Sequence, residues 1–433
     1  MTAASRDEGL VRKVGPWGLA AGVVGIVVGA GIFAVPAKLA AAVGPYAPIA
    51  FLACGLVIGA VAVCFAEGGS RMPTSGGVYG YIEAAFGPFI GFVAGMLLLT
   101  GDVLACGGVT AALADVAASV APQSLVPTVH AAVIVGVIGT VALVNVAGIA
   151  HAARFVSITT ALKLIPLAIF IAVGCTHLHG VSFVQAAQPD TEGLGRAALL
   201  ALFAFFGIEA PLAASGEVAQ PARTIPRALG MAMVLVTLIY VAIQVIAQGI
   251  LGDSLAHSGA PLADAMGRIS PSLRVVMLVG AAVSMFGWIS SDLLGSPRIL
   301  FAFGRDGRLL RMFGLVHPRT RAPYVAILAY ATLAMVLALT GTFAELAILS
   351  TLTTGTLYGL GCVAAWLLAR RGVAVAGPPL NFRWLNAATC IGVLGMAALV
   401  VLASWQEIAA LATLIGISVL LYTIPFRKVL ARQ

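Results

Sequence analysis

The chain has 433 residues, of which 61% are apolar and only 9% are charged. An average soluble domain carries roughly 25% charged residues, so a water-soluble globule, a disordered chain and a nucleic-acid-binding protein are excluded. The formal net charge of +8 is small for this length, and what matters is where the Lys and Arg residues fall.

A membrane-crossing helix needs about 20 apolar residues to cover about 30 Å of hydrocarbon. Breaks at Pro, Gly and charge clusters predict twelve such segments: 17–43, 47–69, 78–110, 127–150, 154–176, 196–218, 226–251, 271–303, 322–341, 343–370, 383–403 and 405–426. The first follows Arg6, Arg12 and Lys13 and runs too far for a cleaved signal, so a retained helix is expected. These runs are too long for barrel strands and do not alternate, so the fold class is all-α. An even count puts both termini on one side of the membrane. Nineteen of the 24 Lys and Arg residues then fall on that side and four on the other, with Lys163 inside a span. The positive-inside rule makes both termini cytoplasmic, in a multi-pass protein of the cytoplasmic (inner) membrane surrounded by lipid.

No connecting segment is long enough for a soluble domain, so function is expected inside a single transmembrane domain. No Gly-Lys pair occurs, which removes a Walker-A phosphate loop, and no His-Glu-x-x-His pattern is present. No enzyme chemistry, cofactor, metal or nucleic acid is expected. Cys54, Cys64, Cys106, Cys175, Cys362 and Cys390 are scattered through apolar runs and read as reduced thiols.

Two spans are interrupted. The first reads Gly25-Ile26-Val27-Val28-Gly29-Ala30-Gly31-Ile32-Phe33, followed by Pro36. Each Gly weakens a helix by nearly 1 kcal/mol relative to Ala, roughly, and Pro36 frees the carbonyl of Ile32. The sixth reads Phe203-Ala204-Phe205-Phe206-Gly207-Ile208-Glu209-Ala210-Pro211, where Pro211 frees the carbonyl of Gly207 beside a carboxylate. Each interruption lies in the first span of a five-span half, about 17–176 and 196–370, with two extra helices at about 383–426. Breaks at matching positions in two halves point to an inverted-repeat secondary transporter. Half-helix N-termini suit a carboxylate and unwound carbonyls suit an ammonium, so a zwitterionic amino acid matches two facing breaks.

Four stretches carry a family resemblance: Gly29 to Phe33; Ala66 to Tyr79, with Arg71-Met72-Pro73-Thr74-Ser75-Gly76-Gly77; Phe203 to Arg227, with Gly216-Glu217-Val218; and Asp292 to Gly307. In their order and spacing the chain resembles the amino acid–polyamine–organocation transporter superfamily. The resemblance implies a five-plus-five inverted repeat with broken helices 1 and 6, usually with two further helices. It implies that backbone N–H groups of Gly29, Ala30, Gly31 and Ile32 bind the substrate carboxylate. Many relatives have Ser where Ala30 stands, so only backbone donors remain there. Carbonyls of Phe203, Ala204 and Phe206, next to Gly207, would bind the amino group, and Phe203 resembles the family's gating aromatic.

Other residues stand out individually. Trp17, Trp366, Trp384 and Trp405 lie near span ends, as interfacial Trp does, but Trp288 is mid-span, and the resemblance places it beside the substrate. Lys163 lies about 13 Å into span 5 at 1.5 Å per residue. Such charges are expensive in hydrocarbon and functional by default. In some relatives a Lys here replaces a sodium ion, which implies coupling to protons or no coupling. Glu209 matches a proposed proton-sensing Glu of relatives. Asp292, beside Ser290 and Ser291, is the candidate counter-charge for Lys163; without that pairing, helix 1 carbonyls and the hydroxyls of Ser290 or Ser291 would have to hold the ammonium. The depth of Asp102 is open. The expected function is proton-coupled, sodium-independent amino acid transport by alternating access. The alternatives are exchange or export of amino acids or amines, and a non-transporting sensor, for which no signalling domain is present.

Overall fold

The computed structural model describes residues 15–29, 31–72, 77–119, 121–147, 163–178, 191–209, 220–375 and 378–423. Among them no strand occurs. The first half contains α1 (Pro16–Val27), α2 (Gly31–Val43), α3 (Ala47–Arg71), α4 (Gly77–Phe86), α5 (Pro88–Ala118), α6 (Val126–Ala147) and α7 (Leu164–Gly174). The second contains α8 (Thr191–Phe205), α9 (Pro221–Leu251), α10 (Pro261–Gly267), α11 (Pro271–Gly295), α12 (Pro297–Arg305), α13 (Tyr324–Thr340) and α14 (Phe343–Arg370). The chain closes with α15 (Leu385–Leu402) and α16 (Trp405–Thr423).

Several of these helices begin with Pro in the first turn, where its missing N–H has no intrahelical partner to lose. α14 starts on a capping box, in which Thr342 Oγ1 accepts from Glu345 N and Thr342 N donates to Glu345 Oε2 at 2.9 Å. Two spans expected to be uninterrupted are not single helices. Segment 78–110 starts inside α4 and turns at Gly87, whose φ of +90° suits only glycine, before Pro88 opens α5. Segment 271–303 passes from α11 to α12 at Ser296–Pro297, where proline cannot continue the backbone ladder.

Among the described residues, 8 helical stretches are long and apolar enough to cross a membrane. Their outward faces carry Val234, Leu235 and Leu238 on α9, Val275, Val276 and Val279 on α11, and Leu394 and Val401 on α15. Apolar faces of this extent are stable against lipid and not against water. α14 is the centre of the bundle, lying against α3, α4, α5, α8 and α15, whereas α16 is peripheral. Close approach to α5 depends on small residues: a Cβ at Gly107 would stand 3.2 Å from Ala334 O, and one at Gly108 would stand 3.5 Å from Phe343 O.

The end of α3 is anchored by a buried ion pair. Arg71 Nε donates to Glu67 Oε1 at 2.8 Å, and its other nitrogens donate to Val373 O at 3.1 Å and Asn381 Oδ1 at 2.6 Å. Glu67 Oε2 accepts from Phe382 N at 2.9 Å, and Ser70 Oγ accepts from Leu380 N at 3.1 Å. The segment between α14 and α15 is thereby held to α3. Glu67→Ala leaves the Arg71 guanidinium buried without its counter-charge. The expected cost is about 3–5 kcal/mol, seen as a large fall in melting temperature of the purified protein. Glu407→Ala, at the exposed cap of α16, should move it little.

Candidate functional site

Both sequence-predicted interruptions are present. α1 ends at Val27, Val28 and Gly29 are non-helical, and α2 begins at Gly31; Ala30 lies outside the described residues. α8 ends at Phe205, and Phe206 to Glu209 leave the helix, with Gly207 at φ +106°. The expected contributions of Pro211 and of Gly216-Glu217-Val218 lie outside the described residues.

The two breaks pack directly on one another. A Cβ at Gly31 would stand 3.2 Å from Ala204 Cα, and a Cβ at Gly207 would stand 2.9 Å from Ile26 Cγ2. Such breaks leave carbonyls without partners in a dry interior. Tyr240 of α9, fully buried, answers this: its hydroxyl lies 2.7 Å from Val27 O and 2.8 Å from Ala204 O, its one hydrogen shared between them. Ser284 of α11 donates to Gly29 O at 3.3 Å. Tyr240 escaped the sequence reading, although a tyrosine in an apolar span signals a phenol that needs a partner.

Each lone side chain finds a place. Trp288 covers Gly29, where a Cβ would come within 2.7 Å of its Cδ1. Phe203 stacks edge-on against Phe343 with ring centroids 5.6 Å apart. Tyr358 of α14 donates to Glu209 Oε2 and accepts from Gly207 N at 3.2 Å, so one phenol holds both the carboxylate and the unwound backbone. Lys163, immediately before α7, donates to Gly25 O.

The expected partnership of Lys163 with Asp292 is not what forms. Asp292 Oδ2 accepts from Tyr330 of α13 at 2.7 Å, and Oδ1 lies 2.9 Å from Ser296 Oγ. The same Ser296 oxygen lies 2.7 Å from Asp102 Oδ2. With one hydrogen to give, Ser296 bonds both carboxyl groups only when one of them is itself protonated. The hydroxyls of Ser290 and Ser291 are turned back to Phe286 O at 2.8 Å and Gly287 O at 2.9 Å, so they hold their own helix rather than Lys163. Periodicity could not reveal this, because the facing of α7 and α11 depends on how whole helices rotate.

A cavity of about 580 Å³ joins these groups. Gly29, Gly31, Lys163, Phe203, Ala204, Phe206, Gly207, Glu209, Trp288, Ser291 and Asp292 line it, together with Asp102. Ile32 is instead buried in the core, and Ser290 is also buried. The cavity runs on to Tyr79, Glu83, Arg298, Arg305 and Arg308 near the ends of α4 and α12. There Arg308 donates to Tyr79 Oη and Glu83 Oε1, each at 2.9 Å. Burial disfavours the Arg308 charge, but the Glu83 carboxylate and the Tyr79 hydroxyl outweigh it and raise the guanidinium's pKa above its ordinary value.

Residues 14–371 match the family model described as amino acid permease. The branched-chain amino acid permease BcaP of Bacillus subtilis is 26% identical over 392 residues, covering 86% of this chain and 84% of the relative. The serine/threonine exchanger SteT of the same organism is 28% identical, with 85% of each chain covered. The methylthioribose transporter of Bacillus subtilis is 27% identical, covering 75% of this chain and 74% of the relative.

Tyr240→Phe removes the shared hydrogen, which leaves Val27 O with only the Gly29 N–H at 2.7 Å and strips Ala204 O of its phenol donor. The expected destabilisation is about 1–3 kcal/mol, read as a fall in melting temperature, whereas Tyr422→Phe at the exposed end of α16 should change nothing.

Proposed function

The chain belongs to the amino acid permease family, a family of membrane transporters and not enzymes, and we propose that it moves amino acids across the cytoplasmic membrane by alternating access. The observation that carries this reading is two helix breaks packed on each other at a cavity, with bare glycine backbone toward it. The start of α2 offers N–H groups and the positive end of a helix dipole to a carboxylate. The end of α8 offers carbonyl oxygens to an ammonium. Trp288 and Phe203 supply apolar walls, and the Phe203–Phe343 contact closes the side opposite α12.

In this reading the chain makes twelve spans, two inverted five-span repeats and two extra helices, with both termini in the cytoplasm. The cavity, reaching toward Arg305 and Arg308, is then open inward, and the state is the one that exchanges substrate with the cytoplasm. Lys163 occupies with its ammonium the place that a sodium ion takes in sodium-coupled relatives, bonding helix 1 through Gly25 O. Protons are the coupling ion, carried by Glu209 and Lys163, with Asp102 and Asp292 able to hold one more between them through Ser296. Exchange is the second reading, favoured by the exchanger among the relatives.

Purified protein in proteoliposomes should take up at least one labelled amino acid. Replacing sodium by choline at fixed pH should leave the rate unchanged; a severalfold loss would overturn the role given to Lys163. Gly31→Leu, whose side chain would enter the space beside Ala204, should abolish amino acid binding while the protein still purifies as a single species. Binding at wild-type affinity would remove the proposed site. Glu209→Gln keeps the shape but cannot titrate, so the pH dependence of uptake should flatten. Uptake only into preloaded vesicles would establish exchange.

A further inference from the structure

Four cationic side chains line the cavity: Lys163, Arg298, Arg305 and Arg308. Three of them are occupied. Lys163 donates to Gly25 O, Arg305 Nε lies 3.0 Å from Asp306 Oδ1, and Arg308 holds Glu83 and Tyr79. Arg298 is the exception, a half-buried guanidinium with no hydrogen-bond or ion-pair partner among the described residues. The acids that share the cavity lining do not answer it: Asp292 and Asp102 are bonded through Ser296 and Tyr330, and Asp306 pairs with Arg305.

A guanidinium presents five donors in a planar fork that matches a carboxylate in bidentate geometry. Withdrawing it partly from water with the fork unfilled is costly, and an anion that fills the fork offsets that cost. Arg298 is the second residue of α12, two residues beyond Ser296, on the stretch of chain that leads along the cavity lining from Asp292 to Arg305 and Arg308. The cavity of about 580 Å³ falls within the roughly 300–1,000 Å³ of pockets that enclose drug-sized ligands. One amino acid fills only part of it and must travel through the rest.

We infer that Arg298 is a second carboxylate-binding station, which takes the substrate's carboxylate on its way between the helix breaks and the α12 side of the membrane. The inference rests on the amino acid transport proposed above. The carboxylate is that of the transported molecule and not of a lipid, because Arg298 shares its cavity with Gly31 and Trp288. The station is sided: substrate arriving from the α12 face meets it first, and substrate from the opposite face reaches the helix breaks before it.

The test uses the full chain in right-side-out and inside-out vesicles, with L-leucine, L-serine and L-arginine as probes and their carboxamides as competitors. Arg298→Gln should raise KM about tenfold for entry from the α12 face, which corresponds to about 1.4 kcal/mol, and leave KM from the other face unchanged. The wild type's preference for leucine over leucinamide as competitor should shrink on the α12 face alone. Arg298→Lys, which keeps the charge without the fork, should restore part of the affinity. Equal KM values for wild type and Arg298→Gln on both faces would overturn the station, as would an equal rise on both. A wild type that transports none of the three probes and shows no thermal shift with any amino acid would instead overturn the transport reading itself.

Discussion

Backbone polarity inside a membrane is the constraint on which the rest of this structure depends. Hydrocarbon offers no water to an unpaired N–H or C=O, so a helix can be interrupted at mid-depth only where protein groups take up what the break releases. Here one phenol does most of this, because the Tyr240 hydroxyl touches the last carbonyl of α1 and a carbonyl near the end of α8. Ser284 and Tyr358 attend to Gly29 O and Gly207 N in the same way. The side chains that make the breaks tolerable thus come from α9, α11 and α14, three helices that are themselves unbroken at those positions. Two breaks can then face each other with glycine on both sides, and the exposed backbone is the recognition surface proposed for the substrate.

The same economy governs the charges. Around the helix breaks the ionisable groups of the cavity are bonded to neutral partners rather than to opposite charges: Lys163 to a carbonyl, Glu209 to Tyr358, Asp292 to Tyr330 and Ser296. Neutral partners leave a proton free to come and go, whereas a salt bridge would fix both charges and make separation expensive. Salt bridges appear at the ends of the bundle instead, where Glu67 holds Arg71 and Glu83 holds Arg308. Those pairs are structural. The Glu67–Arg71 pair binds the connection between α14 and α15 to α3, so the last two helices are attached to the first half of the chain as well as to α14.

Much of the membrane character and of the site was legible in linear order, because hydrocarbon imposes long apolar runs and because Gly and Pro act on the backbone wherever they stand. The interruptions at Val28–Gly29 and after Phe205 are local events; Gly29, Gly31, Phe206, Gly207 and Glu209 at them line the cavity, whereas Val28, Ile32 and Ile208 are buried in the core. Span limits were less legible where proline and glycine divided one apolar run, as Gly87–Pro88 and Ser296–Pro297 do. Hydropathy does not register a turn made of apolar neighbours.

Composition, span length and the position of glycines therefore determined by themselves that this is a helical membrane protein with paired helix breaks, since each follows from solvent and from backbone sterics acting over a few residues. Tertiary structure alone decided which groups meet: Tyr240 with two carbonyls, Lys163 with Gly25 rather than Asp292, Ser296 with two carboxyl groups, and Arg298 with none among the described residues. Those outcomes depend on the rotation of each helix about its axis. In a bundle whose helices are apolar on nearly every face, no periodic signal records that rotation, and close packing between distant segments sets it.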